Sequence, residues 1–299
     1  ERNCLNQDQL KNLIFELKTI VCNDDVPILI DQEGGRVARL VPPNWTKRPS
    51  AGVFARLADE NIALATEALS FNARLIAEDL RELGISVNCA PVLDILQRDA
   101  DLIIGDRSFG HNVEQISVLG KVFCDGLIKG GILPVIKHIP GHGRAKVDSH
   151  KAMPLVDISW SELSNSDFVP FKNLSDMPFA MTAHILFSDI DPENLATLSA
   201  QVIEEVIRKE ILFEGFLMTD DLSMNALRGT LAERAQSSLN AGCDAVLHCN
   251  GNMEEMIEVA SAVKELTDIA KLRLNKALSR IKNVEPFDKT HAMDKLVSL

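Results

Sequence analysis

Short apolar runs alternate with longer segments that carry apolar residues at helical spacing. A half-exposed strand alternates polar and apolar side chains, whereas a strand buried on both faces of a parallel sheet is apolar almost throughout. The pattern therefore predicts six buried parallel β-strands. They are Val26–Ile30, Ile85–Val92, Leu133–Ile136, Phe179–Thr182, Phe216–Thr219 and Ala245–Leu247.

The segments between these runs predict the connecting helices. Glycines that suit helix C-termini follow several of them, at Gly84, Gly130 and Gly242. Repeated β-then-α units imply parallel strands with right-handed crossovers. No repeat, low-complexity tract or flexible linker interrupts them, so a single domain is expected over residues 1–299. The predicted helical segments are Asn61–Leu83, Val113–Lys129, Ser199–Ile211, Leu231–Asn240 and Met253–Ile281, the last holding two helices.

The residues that follow the apolar runs distinguish between two parallel folds. A doubly wound nucleotide-binding sheet has a glycine-rich turn leading into a helix, and neither GxGxxG nor GxxxxGK[ST] follows a run here. Polar groups at the ends of many different strands are typical of the active face of a TIM barrel. We therefore predict an α/β fold, a (β/α)8 barrel, with one further strand expected upstream of Glu1 and another among the irregular segments. The polar groups are Asp31, Asp94, Lys137, His138, His184, Asp220, Asp221, His248 and Asn250.

Composition narrows the possible partners and the compartment. The hydrophobic fraction of 46% and the charged fraction of 25% are those of a soluble globular enzyme. A net charge of −12 argues against a nucleic-acid partner, because neutralising phosphates requires a basic surface. No apolar run approaches the roughly 20 residues that span a bilayer, so no membrane partner is expected. The six cysteines form no CxxC pair, which predicts free thiols in a reducing, cytoplasmic compartment.

The segment KHIPGHGRAKVDSH, from Lys137 to His150, is dense in titratable groups. Lys137 and His138 end a predicted strand, and a glycine-bounded turn follows them. Asp148 and His150 then lie two residues apart, a spacing that lets the carboxylate bond one ring nitrogen and stabilise the imidazolium. This arrangement suits proton transfer, and a solvated loop without a chemical role is the alternative.

Two adjacent carboxylates follow the fifth apolar run, in the segment MTDDLSM. Asp220 ends a buried strand and is expected to point into the barrel mouth, as a nucleophile or a metal ligand. The alternative for either residue is a helix N-cap or a partner of the helix dipole. We expect Asp221 to have that structural role.

Two further segments combine glycines with charged side chains. IDQEGGRVARL places Asp31 and Glu33 near Arg36 and Arg39, a set that suits the vicinal hydroxyls of a sugar or an internal ion pair. In GDRSFG, Arg107 lies between glycines and is a candidate ligand clamp, or else part of an ordinary surface turn. Tyrosine is absent and aromatic residues are few, so a long carbohydrate-binding platform is not expected.

Together these four segments resemble glycoside hydrolase family 3, and within it the bacterial β-N-acetylglucosaminidases of peptidoglycan recycling. That group shows DQEGGRV, G-(D/E)-R-(S/A)-(F/Y)-G, KHFPGHG followed by DSH, and SDDLSM, in the order found here. Ile139 replaces the commoner Phe, and Thr219 the commoner Ser. The family's first barrel strand ends near an LF-x-RN segment, and this chain begins near RN. The resemblance therefore implies a barrel whose first strand lies outside these 299 residues.

The resemblance also implies a role for each site residue. Asp220 matches the nucleophile, His150 the general acid/base and Asp148 its partner. The implied reaction removes non-reducing GlcNAc from GlcNAc-1,6-anhydro-MurNAc, with or without peptide, by a retaining mechanism through a covalent glycosyl-aspartate. The family implies no metal and no organic cofactor, and a monomer is expected. The residues that match those holding the GlcNAc ring are Asp31, Arg39, Arg107, Lys137 and His138.

Three other functions fit parts of the pattern. Lys137 at a strand end would suit a Schiff-base aldolase. A metal-dependent hydrolase would draw its ligands from His138, His142, His184 and Asp220. A non-catalytic sugar-binding relative would keep the barrel without turnover, and the presence of both Asp220 and His150 argues against it.

Overall fold

The computed structural model describes residues 3–97, 102–146, 153–281 and 284–297, and its main feature is one parallel sheet. Six strands lie side by side in chain order, which confirms the six predicted strands and their parallel direction. Two of them are shorter than the apolar runs that predicted them. The strands are β1 Leu29–Ile30, β2 Val87–Asn88, β3 Leu133–Ile139, β5 Phe179–Thr182, β7 Phe216–Asp221 and β8 Ala245–Leu247.

A second, two-stranded sheet was not predicted. Its strands, β4 Leu155–Val156 and β6 Leu186–Phe187, are parallel, and each is only two residues long. A two-residue strand is too short to show a hydrophobic period, so the sequence pattern holds no sign of it.

The helices lie between the strands largely where the periodicity places them. Val113–Lys129 is observed with the predicted bounds, and the predicted segment 253–281 does contain two helices. The predicted helix at 199–211 is a π-helix over Val202–Glu210, and Ser199 Oγ accepts the Val202 N–H as an N-cap would. The α-helices are α1 Gln7–Ile20, α2 Ala51–Glu60, α3 Ile62–Arg81, α4 Val113–Lys129, α5 Trp160–Ser164, α6 Val169–Asn173, α7 Leu231–Ala241, α8 Met253–Ala262, α9 Asp268–Leu278 and α10 Lys289–Val297.

Each face of the main sheet packs against its own apolar layer. Successive side chains of a strand point to opposite faces, so Ala180 joins the outer layer under the helices, whereas Phe179 and Met181 join the inner layer. Ala270 and Leu274 of α9 pack in that inner layer. Burial on both faces explains why the strands read as continuous apolar runs.

The sheet is therefore a curled parallel layer of the TIM-barrel type, and its strand ends converge on one rim. Helix α9 packs against its inner face, and α3 and α4 lie in the outer layer. No helix in the described part of the chain has the length and apolar character needed to cross a bilayer.

Candidate active site

Polar side chains from several strands meet at the carboxyl-terminal rim of the sheet, as the sequence predicts. Asp31 follows β1, Asp94 follows β2, Lys137 and His138 belong to β3, and Asp220 belongs to β7. Contacts between these residues join strands that are far apart in the chain. The residues form two groups, one around Lys137 and one around His138.

The first group is an ion-pair network centred on Glu33. Lys137 Nζ lies 2.7 Å from Glu33 Oε1 and 3.0 Å from Asp31 Oδ1. Arg107 donates two hydrogen bonds of 2.9 Å to the two oxygens of Glu33. Arg39 Nη2 lies 3.1 Å from Asp31 Oδ2. The structure thus brings together four of the five predicted sugar-binding residues, and Glu33 joins them.

The charges in this network hold one another ionised. Burial alone would raise the pKa of Glu33, but Lys137 and Arg107 outweigh it and lower the pKa to about 2. Burial alone would lower the pKa of Lys137, and Glu33 and Asp31 raise it above its ordinary value instead. A Schiff base needs a neutral amine, so this environment opposes the aldolase interpretation.

The second group links His138 to two carboxylates. His138 Nδ1 lies 2.7 Å from Asp94 Oδ2, and Nε2 on the other side of the ring lies 3.8 Å from Asp220 Oδ2. Asp94 is completely buried, and its Oδ1 also accepts the backbone N–H of His142 at 2.6 Å. His138 therefore lies between a buried carboxylate and one that faces the rim.

Asp220 has the exposure and charge of a reactive carboxylate. Its side chain is 24% exposed, and its Oδ1 accepts the backbone N–H of Asp221 at 2.8 Å. Burial would raise the pKa of Asp220, but His138 and then His184 outweigh it and lower the pKa to about 2. Asp220 is therefore ionised at neutral pH, oriented and reachable from the rim.

Asp221 supports the backbone instead. Its Oδ1 accepts the N–H groups of Ser223 and Cys249 at 3.0 and 3.1 Å, and its Oδ2 accepts the Ser223 hydroxyl at 2.7 Å. The expectation that Asp221 is the structural member of the pair agrees with these contacts. Asp221 holds the turn after β7, whereas the structural role predicted for it was at the N-terminus of a helix. The next helix, α7, begins at Leu231.

The other histidines near the rim are held by protein groups. His184 is buried, with Nδ1 2.7 Å from Thr197 Oγ1, and burial lowers its pKa. Burial, and then His138, lower the pKa of His142 to about 4. His248 Nε2 lies 2.8 Å from Glu255 of α8. Among the described residues, no group of three His, Cys, Asp or Glu side chains is placed to hold a metal ion.

The predicted acid/base pair, Asp148 and His150, lies outside the described residues. The chain that leads to it is closely held: a Cβ at Gly143 would lie 1.9 Å from the Ile95 carbonyl oxygen. Arg144 Nε then donates to Asp167 at 2.7 Å. These contacts anchor the first half of the loop after β3 against the rim.

Two residues that organise the site, Glu33 and Asp94, are not among the catalytic or sugar-binding residues predicted from the sequence. Asp94 follows a predicted strand, as the assigned residues do, and that position is the one signal by which it could have been found. Glu33 lies two residues beyond the strand end, in a segment where an internal ion pair was only one of two interpretations. The residues that contact Glu33 and Asp94 lie far away along the chain, so no local pattern predicts these contacts.

Known proteins of similar sequence and structure are glycosidases. The family model described as glycosyl hydrolase family 3 N terminal domain matches residues 1–284. The beta-hexosaminidase of Tolumonas auensis is 36% identical over 254 residues, which are 83% of this chain and 73% of that protein. The beta-hexosaminidase of Alkalilimnicola ehrlichii is 38% identical over 253 residues, 83% of this chain and 72% of that protein.

Solved structures show the same relationship. NagZ from Neisseria gonorrhoeae, in complex with N-trifluoroacetyl-D-glucosamine, superposes with a TM-score of 0.84 at 31% identity, covering 98% of this chain and 84% of that chain. A family 3 β-N-acetylglucosaminidase from Paenibacillus sp. superposes with a TM-score of 0.85 at 31% identity, covering 99% of this chain and 60% of that chain.

Proposed function

Because this chain belongs to glycoside hydrolase family 3 and is a β-hexosaminidase by its relatives, we propose that it is a retaining exo-β-N-acetylglucosaminidase of peptidoglycan recycling. Its substrate is GlcNAc-1,6-anhydro-MurNAc, with or without peptide, from which it removes the non-reducing GlcNAc. The observation that carries the proposal is the ionised, partly exposed Asp220 on the same rim as the Asp31 ion pairs.

In this mechanism Asp220 is the nucleophile. A carboxylate oxygen forms a bond to the anomeric carbon while the bond from that carbon to the leaving oxygen breaks. The result is a covalent glycosyl-aspartate, which water hydrolyses with retention of the β configuration. Its low pKa and its hydrogen bond from the Asp221 N–H support this role, because a nucleophile must be deprotonated and aimed.

Proton transfer is assigned to His150 with Asp148. Most retaining glycosidases use a second carboxyl group to protonate the leaving oxygen and then to activate water. A histidine suits both steps, because an imidazole ordinarily titrates near neutral pH. Asp148, two residues away, would orient the ring and stabilise its charged form.

Sugar binding is assigned to Asp31, Arg39, Arg107, Lys137 and His138. Asp31 and Arg39 are 36% and 44% exposed, so both can reach hydroxyl groups of the ring directly. Lys137 is only 2% exposed. Its contribution is to hold the Asp31 carboxylate in place, as Arg107 holds Glu33. Such preformed ion pairs orient acceptors for the sugar before it binds.

The same proposal covers the domain organisation, oligomeric state, compartment and cofactor requirement of the enzyme. Residues 1–299 act as one catalytic domain, a monomer that acts in the cytoplasm and requires neither a metal nor an organic cofactor. All six cysteines are free thiols, which suits a reducing compartment.

The experiment that tests this function is covalent trapping of the glycosyl-enzyme. A 5-fluoro derivative of an activated N-acetylglucosaminide slows hydrolysis of the intermediate, so a labelled peptide can be mapped by mass spectrometry. We expect a single label on Asp220 and none in Asp220→Asn. A label on Asp221 would show that the nucleophile is wrongly assigned, and turnover with inverted product would contradict the retaining mechanism.

A further inference from the structure

We propose that Asp94 is a positioning residue for this reaction, and that it holds the His138 ring with Nε2 directed at the Asp220 carboxylate. This inference rests on the proposed role of Asp220 as the nucleophile. Asp94 lies outside the four motifs that this chain shares with family 3.

The position of Asp94 is fixed by donors on both carboxylate oxygens. Oδ1 accepts the backbone N–H of His142 at 2.6 Å, and Oδ2 lies 2.7 Å from His138 Nδ1. The backbone N–H of His138 lies 3.3 and 3.4 Å from the two oxygens. A buried carboxylate that is held so closely by N–H groups stays ionised, and the pKa of Asp94 is accordingly lowered, against the effect of burial, chiefly by His138.

The orientation of the His138 ring follows from this contact. An ionised carboxylate only accepts hydrogen bonds, so Nδ1 must carry the proton. That leaves Nε2 directed towards Asp220 Oδ2 at 3.8 Å, a distance for charge attraction and longer than a hydrogen bond.

The other ionisable groups around His138 are either neutral at neutral pH or directed to other carboxylates. Burial lowers the pKa of His142 to about 4 and also lowers that of His184, so both rings are neutral at neutral pH. Lys137, on the same strand, is directed to Asp31 and Glu33. Among the groups that lower the pKa of Asp220 against the effect of burial, His138 contributes most, ahead of His184, the Asp221 N–H and Lys137.

The consequence for the reaction is a nucleophile that is kept ionised and aimed. The bond from Asp220 to the anomeric carbon forms, and the proton for the leaving oxygen comes from the acid/base residue. Asp94 and His138 neither gain nor lose a proton. Asp94 acts on the reacting carboxylate through His138 and does not touch the substrate.

The substitution Asp94→Asn removes the negative charge of this side chain and leaves its shape almost unchanged. The backbone N–H of His142 can only donate, so the amide oxygen must remain opposite it. The amide NH2 group then faces His138 Nδ1, which must become an acceptor. The ring is thereby confined to the tautomer with its proton on Nε2, and a charge on His138 can no longer lower the pKa of Asp220.

We expect the rate of covalent trapping in Asp94→Asn to fall about 10- to 100-fold, by analogy with the loss of a carboxylate that orients a metal-bound histidine. KM should rise less than kcat falls, because Asp31 and Arg39, two of the residues assigned to sugar binding, are untouched. The acid limb of the pH profile of kcat/KM should move to higher pH, because the pKa of Asp220 rises towards its ordinary value.

The matched control is Asp244→Asn. Asp244 is also a buried carboxylate, held by Arg208 and Arg273 at 3.1 and 2.8 Å at the opposite end of the sheet. This variant should be less stable, and the acid limb should stay where it is in the wild type. If Asp94→Asn and Asp244→Asn gave the same profile, the role of Asp94 would be structural and the inference wrong.

A measurement on the wild-type enzyme does not depend on the variant folding. Nitrogen-15 NMR of histidine-labelled enzyme, with His138 identified by its loss in His138→Gln, should show a proton on Nδ1 of that ring at pH 7. A neutral ring with its proton on Nε2 would overturn the inference. Failure of the trapping label to reach Asp220 would instead overturn the proposed function and leave the His138 spectrum as it is.

Discussion

At the residue scale, Glu33 shows how a buried charge can organise a site without being its reactive group. Its side chain is 7% exposed and lies between Lys137 and Arg107. Removing one partner of a buried ion pair is costly, because the remaining charge is left in a medium of low dielectric constant. The two cations on either side of Glu33 depend on it in this way.

We therefore expect Glu33→Gln to lower the free energy of unfolding by about 3–5 kcal/mol at pH 7, measured by urea denaturation. The pKa of Glu33 is lowered from 4.5 to about 2 in the folded protein. The stability that this carboxylate contributes is thus complete above pH 4.5 and is lost as the pH falls towards 2. The difference between the wild type and the variant should shrink over that window.

The control for this prediction is Glu205→Gln, at an exposed pair with Lys209. Exposed ion pairs contribute little, so this change should stay within about 1 kcal/mol at both pH values. A loss at Glu33 that is no larger than the loss at Glu205 would show that the network is not a buried charge cluster.

At the element scale, the close packing of α3 and α4 places β3 and therefore Lys137 and His138. Glycines on α4 let the two helices approach: a Cβ at Gly126 would lie 2.6 Å from the Ala73 Cβ. At Gly130, where α4 ends, a Cβ would lie 2.3 Å from the Ala77 Cβ. These distances leave no room for a side chain between the helices.

Substituting Gly126→Val should force the helices apart and lower the free energy of unfolding by about 1–3 kcal/mol, the usual cost of overpacking. Helix propensity favours Val over Gly by a few tenths of a kcal/mol, which makes the sign of the result informative. Thermal denaturation would measure it, with Val118→Ala on the exposed side of α4 as the control. An unchanged or higher melting temperature for Gly126→Val would contradict the close packing.

At the scale of the whole molecule, the inner and outer apolar layers share one sheet, so they should unfold together. Three buried cysteines report on different parts: Cys89 follows β2, Cys124 lies in α4 and Cys243 precedes β8. Thiols that are buried react with an alkylating agent only when the surrounding structure opens. They therefore measure the cooperativity of the fold.

In pulsed alkylation across a urea gradient, we expect Cys22, which is exposed, to react at every concentration. The three buried thiols should become reactive together, at the midpoint of the unfolding transition measured by circular dichroism. Two separate midpoints among Cys89, Cys124 and Cys243 would contradict the proposal of a single domain. The transition should also be the same with and without reductant, because the thiols are free.

The sequence by itself determined the elements and the composition of the rim. A parallel sheet buried on both faces requires apolar runs, so Phe179–Thr182 and Ala245–Leu247 were predicted with their observed bounds. Helices buried on one side keep a period of 3.6 residues, which located Val113–Lys129. These signals are local, and the strands β4 and β6 are too short to show them.

Only the tertiary structure decided which polar residues at the rim are partners. Lys137 meets Asp31 across 106 positions of sequence, Arg107 meets Glu33 across 74 and His138 meets Asp94 across 44. The curvature of the sheet brings these strand ends together, and no local pattern encodes it. For the same reason the sequence predicts a reactive role for Asp220, whereas the contact of Asp94 with the ring that faces Asp220 is visible only in the fold.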